Sequence, residues 1–359
     1  MKKNLGNVWH LKKEFNKFFP GDYHYHINCI EIIDYHNRRL NDSFLDSLPN
    51  KNEFHIFDLS DEPWGERLAE SVADHLRFNY FRKYLVLSHS LKYLNNPSYP
   101  NICYFPHNYY NCVQDFSVND SLENFKKRNR TYFLSCLNRK PRVSRIANYL
   151  KLIDKPFKDH LLLSMYKHID EYTQSEIDSY HDEFLTEDEQ RQWGSLQLPT
   201  ECDNDLNINH EAYSNSYVNL VTEISVRPGE QFVTEKIYKP IASGQMFILL
   251  GSTGSITHLK EQGYDVFQDI IDYTKYDYGW AWRDRLESIH SLLDQIVDLD
   301  WSNIYKQTQH RRLSNITKFY SGEAVKPYSD FLAGRMSRIS GQKITYRPEH
   351  IANLVAINS

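Results

Sequence analysis

The chain has 359 residues, enough for two domains with a core each. Its 40% hydrophobic and 25% charged residues are the balance of a globular protein, and no run approaches the ~20 apolar residues of a membrane-spanning helix. A net charge of −5 argues against a nucleic-acid partner, although a local basic strip, with Arg311, Arg312 and Lys318 near the end, keeps that reading open.

Five cysteines (Cys29, Cys103, Cys112, Cys136 and Cys202) are an odd number, and no two have metal-ligand spacing. Reduced thiols and a cytoplasmic location are therefore expected. The opening residues, Met1 to Asn7, lack the apolar stretch of a signal peptide. A bacterial or viral protein would fit that start.

In chain order, 27–33 reads as a strand, and Phe54 to Ser60 alternates as a second. Leu68, Val72 and Leu76 have helical spacing. Strands follow at 84–88 and 101–106. Strands that alternate with helices predict a parallel sheet. Residues 117–130 are polar, end in four cations, and are expected to be a linker. A strand at 132–137 and a helix from Pro141 to Leu152 open a second alternating half. One or two helices are expected within 160–193, and an acidic loop around 201–209. Tyr217 to Ser225 reads as a strand, Ser255 to Glu261 as a short helix, and Arg283 to Val297 as an amphipathic one. The last fifty residues are basic and mixed. The expected divisions are 1–128, 129–310 and a tail at 311–359 that packs back across both domains.

Four clusters carry candidate chemistry. Thr234 is a good N-cap, placing Glu235 and Lys236 in the first turn of a helix that Gly244 can end. Met246 to Leu250 follows as a buried strand. Free amides and the positive dipole end at such a start can meet a phosphate. A carboxylate there can hold sugar hydroxyls, although the dipole alone also favours Glu at that place. Glu223, on the preceding strand, would flank the same crevice at the carboxyl edge of the sheet. Arg139, Lys140, Arg142 and Arg145, at another helix start, read either as an anion site or as a solvated basic face. Asp61 and Glu62, with Pro63 and Trp64, follow a strand and supply a candidate general base. His107, in a loop after the 101–106 strand, is a further candidate. Two Asp-x-Asp triplets, Asp203/Asp205 and Asp298/Asp300, do not close an apolar strand, so no metal site and no cofactor are expected.

Taken in order, these clusters resemble the alpha-1,3-fucosyltransferase family. The resemblance rests on Asp61-Glu62-Pro63, Phe105-Pro106-His107-Asn108, Leu134-Ser135-Cys136 with Arg142 or Arg145, Val221 to Ser225, and above all Phe232-Val233-Thr234-Glu235-Lys236 with Gly244 and Met246 to Gly251. Phe232 stands where the family has Tyr, and Pro240 interrupts the helix. Exostosin-type transferases have a similar Glu-Lys, helix, Gly, strand block. The resemblance implies an α/β protein of GT-B type, with two Rossmann-like domains facing a cleft. It implies a metal-independent, inverting transfer of sugar from a nucleotide sugar, GDP- or UDP-linked, to a hydroxyl of a glycan or other acceptor. Arg142 or Arg145 and Lys236 would bind the diphosphate, Thr234 would cap the helix that presents it, and Glu235 would bind ribose or hydroxyls near the base. Glu223 would face the donor sugar. Asp61 or Glu62 would deprotonate the acceptor, with Glu62 the longer reach, and Trp64 and His107 would lie on the acceptor side. A transferase acting on modified bases of viral DNA and an inactive nucleotide- or sugar-binding module are the alternatives.

Overall fold

A computed structural model describes residues 15–27, 33–34, 39–48, 52–60, 66–79, 81–94, 96–127, 130–139, 141–166, 185–199, 208, 211–226, 233–279 and 281–351. Ten strands are present among them: β1 (His24–Ile27), β2 (Ile33–Asp34), β3 (Arg39–Leu40), β4 (Phe54–Asp58), β5 (Lys83–Ser88), β6 (Ile102–Tyr104), β7 (Tyr132–Leu137), β8 (Leu161–Ser164), β9 (Ser216–Thr222) and β10 (Met246–Leu250). Eight of them form two four-stranded parallel sheets, ordered β1-β4-β5-β6 and β10-β9-β7-β8, and β2 and β3 form a short antiparallel pair. The chain is thus α/β. One unit runs to Gln114 and takes up the chain again from Ser321, and the other holds Asp115–Gly229 and Val233–Tyr320.

In the first unit, β4 is buried along its whole length and β5 everywhere except Lys83. Strands covered on both faces lose the apolar–polar alternation of a half-exposed sheet, which is why Phe54-His-Ile-Phe-Asp runs continuously inward. The Glu66–Phe78 helix lays Leu68, Val72 and Leu76 on this sheet against Phe57, Phe81 and Val86. Each such side chain contributes about 1.5–3 kcal/mol when fully buried. The Lys326–Ser340 helix belongs to this unit: Tyr110 Oη lies 2.5 Å from Ser329 Oγ, and Arg335 donates to the carbonyls of Pro100 (2.9 Å) and Asn96 (3.1 Å).

In the second unit, β9 pairs with β7 on one side and β10 on the other. Its strands end at a shared carboxyl edge. The Val143–Ile153, Glu235–Ala242 and Trp282–Ile296 helices follow the spacings read above. The Ser255–Glu261 helix begins after Gly254, whose φ of 80° is the left-handed region.

Two expectations are corrected. Residues 117–130 are not a linker throughout: Val118–Lys126 is a helix, capped by the Ser117 hydroxyl, which accepts from Asp120 N at 3.4 Å. The stretch is polar, but its polar groups are satisfied inside. Ser121 Oγ bonds Tyr320 Oη at 2.7 Å, and Asn124 Nδ2 donates to Ile208 O at 2.7 Å. Composition reports polarity, not pairing. Within 160–193, Leu161–Ser164 is a strand beside β7 rather than part of a helix, while Glu187–Ser195 is helical behind a Thr186/Glu189 capping box. Residues 167–184 lie outside the described residues, as do 27–33 beyond Ile27 and Ile33, and all of 201–209 except Ile208. The described part of the last fifty residues is mostly helical, over Gln309–Ser321 and Lys326–Ser340.

Candidate functional site

The carboxyl edge of the second unit's sheet gathers the donor-side candidates. Glu223 follows β9, and its amide donates to Leu250 O at 2.9 Å, holding β9 and β10 together at their ends. Its side chain is fully buried. Oε1 accepts from Thr234 N at 3.0 Å and Oε2 from Thr234 Oγ1 at 2.6 Å. Thr234 caps the Glu235–Ala242 helix, its Oγ1 accepting from Lys236 N at 3.3 Å and from Lys236 Nζ at 3.2 Å. Lys236 Nζ then reaches Glu235 Oε1 at 2.7 Å. A single chain of contacts therefore joins Glu223, Thr234, Lys236 and Glu235. Pro240 sits inside this helix, removing the amide that would bond back to the Lys236 carbonyl.

The two arginines arrive from the other helix start. Arg142 is the N-cap residue of the Val143–Ile153 helix and is half-buried. Arg145, one turn on, is buried, and its Nη2 donates to Thr222 O at 3.2 Å, at the end of β9. Burial and the charge of Arg142 push its guanidinium down to about 10, against the pull of Glu223 and Glu235. Those four side chains thus share one electrostatic neighbourhood.

The two carboxyls differ in character. Burial, the largest influence, raises the Glu223 carboxyl above its ordinary value despite Lys236 and Thr234. Glu235 is also opposed by desolvation, but Lys236 and Lys239 outweigh it and hold the carboxyl below the usual range. Its side chain is one-third exposed. Arg142, Arg145 and Lys236 beside these two carboxyls make an arrangement suited to an anion with a polar neighbour.

The loops at this edge are braced by residues without an evident sequence signal. Arg285, on the Trp282–Ile296 helix, is buried and donates to Gly251 O at 2.5 Å and to Val226 O, tying the segments after β10 and β9. Asn138, after β7, accepts from Thr222 Oγ1. Asp277 accepts from Ile256 N and Thr257 N, both at 3.1 Å, fixing the helix that follows Gly254.

In the first unit, His107 is buried at the start of the His107–Asp115 helix, just beyond β6. Its Nδ1 lies 3.3 Å from Oδ2 of Asp58, the buried last residue of β4. The same carboxylate accepts from Tyr25 Oη, Ser60 N at 2.9 Å and Ser60 Oγ. Burial opposes ionisation of Asp58, but His107, Ser60 and Tyr25 together hold it below the ordinary aspartate value. Asp58 was missed in the sequence: the available signal was a polar residue closing an otherwise inward strand. Asp61, Glu62 and Trp64 lie outside the described residues.

Among the described residues, no group of three His, Cys, Asp or Glu side chains is placed to hold a metal. Asp300 caps the Trp301–Gln307 helix, accepting from Asn303 N at 3.0 Å, while Asp203 and Asp205 are outside the described residues. Cys103, Cys112 and Cys136 are buried. No helix among the described residues is long and apolar enough to cross a membrane. Compared with known protein families and curated proteins, the chain matches no family model and no curated sequence.

Proposed function

We propose that this protein is a glycosyltransferase of GT-B type that moves a sugar from a nucleotide sugar to a hydroxyl acceptor. The observation that carries the proposal is the convergence of Arg142, Arg145, Glu223, Thr234, Glu235 and Lys236 at one carboxyl edge of a parallel sheet. In open α/β sheets that edge is where ligands bind. Two helix starts lie at that edge, each with a positive dipole end.

In this proposal Arg142 and Lys236 meet the diphosphate, and Arg145 holds the end of β9 while adding positive potential. As the bond from the sugar to the diphosphate breaks, negative charge builds on the leaving oxygen. Fixed cations already in place stabilise that charge without reorganising. Glu235 accepts hydrogen bonds from ribose hydroxyls, and Glu223 sets Thr234 and so the helix start. The resemblance to alpha-1,3-fucosyltransferases favours inversion and a GDP- or UDP-linked donor.

The test is a thermal-shift series with UDP, GDP, UDP-glucose and GDP-fucose. A ligand present at about 100 times its dissociation constant adds about 2.7 kcal/mol to stability. A shift with a nucleoside diphosphate, larger than with the nucleoside alone, is expected. No shift with any of them would remove the proposal.

A further inference from the structure

We infer that a basic pocket at the amino edge of the second unit's sheet binds a phosphate group, held by Lys126, Lys127 and Lys306 beside the buried guanidinium of Arg312. The site uses none of the residues of the carboxyl edge and does not rest on the transfer reading.

The amino edge buries two guanidiniums without a carboxylate to balance them. Arg130 donates to the carbonyls of Tyr213, Ser216 and Asn124, and Arg312 to those of Gly244 and Tyr305. Both lie against the Tyr305 ring, and Arg312 also lies 5.0 Å from the centre of the Phe125 ring. Among the described residues neither has an acidic partner, and Nε of Arg312 has no hydrogen-bond partner. Carbonyls and ring faces ease the burial of a cation but leave its charge in place. Buried charges are ordinarily paired. Burial accordingly pushes the Arg312 guanidinium below its ordinary value; Tyr305 opposes that shift and the charge of Arg130 adds to it.

The pocket that opens beside Arg312 adds charge of the same sign. Its cavity of about 240 Å³ is lined by Lys126, Lys127, Lys306 and Arg312, with Ser302, Gln309 and two rings, and by no carboxylate among the described residues. Lys126 stands in the last turn of the Val118–Lys126 helix and Lys306 in the last turn of Trp301–Gln307, where the negative end of a helix favours a lysine. That accounts for two exposed lysines. It does not account for a buried arginine in the same wall. The neighbouring Arg311 shows the contrast, because Asp265 and Asp269 both accept from it.

A phosphate group suits this pocket better than other anions. The cavity is smaller than the about 300–1,000 Å³ of pockets that enclose drug-sized ligands, so its occupant is a small group. A halide offers a single atom and a carboxylate two oxygens, whereas a phosphate dianion presents oxygens to several donors at once. Lysine ammoniums meet phosphate as point charges, and the Ser302 hydroxyl and the Gln309 amide are further donors.

The test is calorimetric titration of inorganic phosphate into the full chain, with sodium chloride holding the ionic strength constant. Wild type, Lys236→Ala, Lys306→Ala and the double variant Lys126→Ala/Lys127→Ala are compared. Phosphate is expected to bind wild type, and binding is expected to persist in Lys236→Ala. Affinity is expected to fall by about 10-fold or more in Lys306→Ala and in the double variant, the loss of a charge-assisted hydrogen bond. Each variant should keep its unfolding midpoint in phosphate-free buffer. A parallel titration with glycerol 3-phosphate separates the sources: binding as tight as that of phosphate assigns the pocket to phosphate esters, and weaker binding assigns it to the free ion. Absence of phosphate binding to wild type would overturn the inference, as would equal affinity in wild type, Lys306→Ala and the double variant. Binding lost in Lys236→Ala but kept in the other variants would place phosphate at the carboxyl edge and overturn the inference while leaving the transfer proposal standing. Failure of UDP and GDP to bind would remove the transfer proposal alone.

Discussion

The two edges of the second unit's sheet spend their buried polar groups differently. At the amino edge, three buried side chains, Arg130, Arg312 and Gln245, close backbone carbonyls. Arg130, just before β7, donates to Tyr213 O (2.8 Å), Ser216 O (2.7 Å) and Asn124 O (2.8 Å). Arg312 donates to Gly244 O (2.9 Å) and Tyr305 O (2.8 Å), and both guanidiniums lie against the Tyr305 ring, Arg130 at 4.5 Å and Arg312 at 3.5 Å from its centre. Gln245 donates to Ala212 O (2.9 Å) and Ser216 O (2.8 Å). At the carboxyl edge, Arg145 and Arg285 likewise hold carbonyls, but one further set of side chains answers side chains: Glu223 to Thr234, Thr234 to Lys236, Lys236 to Glu235. Partners of this last kind can exchange one another for a ligand, because their bonds are not tied to a loop carbonyl.

The largest effect should come from the amino edge. Arg130→Ala removes a donor from three buried carbonyls, of which Ser216 O keeps Gln245, and the loss of such a buried charged network costs about 3–5 kcal/mol. Urea unfolding should show the midpoint falling, with nucleotide affinity of the folded fraction unchanged. A drop in affinity at unchanged stability would erase the contrast between the edges.

Gly244→Ala should follow, at about 1–3 kcal/mol. Gly244 has φ of 61°, and an added Cβ would meet Ile316 Cδ1 at 2.8 Å and Phe125 Cδ2 at 2.9 Å. The residue both ends a helix and lets two side chains close over it. A variant as stable as wild type in thermal unfolding would contradict that account.

The smallest effect concerns pH. Burial raises the folded-state carboxyl of Glu223 above its unfolded value, so the folded state holds that proton to higher pH. Its contribution to stability is therefore present at low pH and is lost as pH rises through the folded-state value. Glu223→Gln should flatten that part of the stability–pH curve above the ordinary glutamate range, by less than about 1 kcal/mol per pH unit. A slope unchanged in the variant would assign the titration to another group.

Much of this was legible in the sequence, for identifiable reasons. The Thr234 cap, the Glu235–Ala242 helix, Gly244 and the β10 strand follow from local rules, because each depends on residues within one turn or one strand. The same locality made Arg142 and Arg145 readable as a helix start. What sequence did not disclose depends on distant partners. Asp58 draws its partners from far along the chain, Tyr25 within β1 and His107 after β6. Arg285 matters because Gly251 and Val226 come to it. The 117–130 segment was misread for the same reason, since Tyr320 and Ile208 satisfy its polar residues from far along the chain. That Arg145 is buried could not be read from its place in a run of cations.

The central claim is that the carboxyl edge of the second unit binds a nucleoside diphosphate through exchangeable side-chain contacts. Isothermal titration of UDP and GDP into wild type, Lys236→Ala and Glu235→Ala tests it most directly. At least one nucleotide should bind wild type, and each variant should lose about 1.5–3 kcal/mol of affinity while keeping its unfolding midpoint. Binding of equal strength in all three proteins, or a loss of affinity matched by a loss of stability, would contradict the claim.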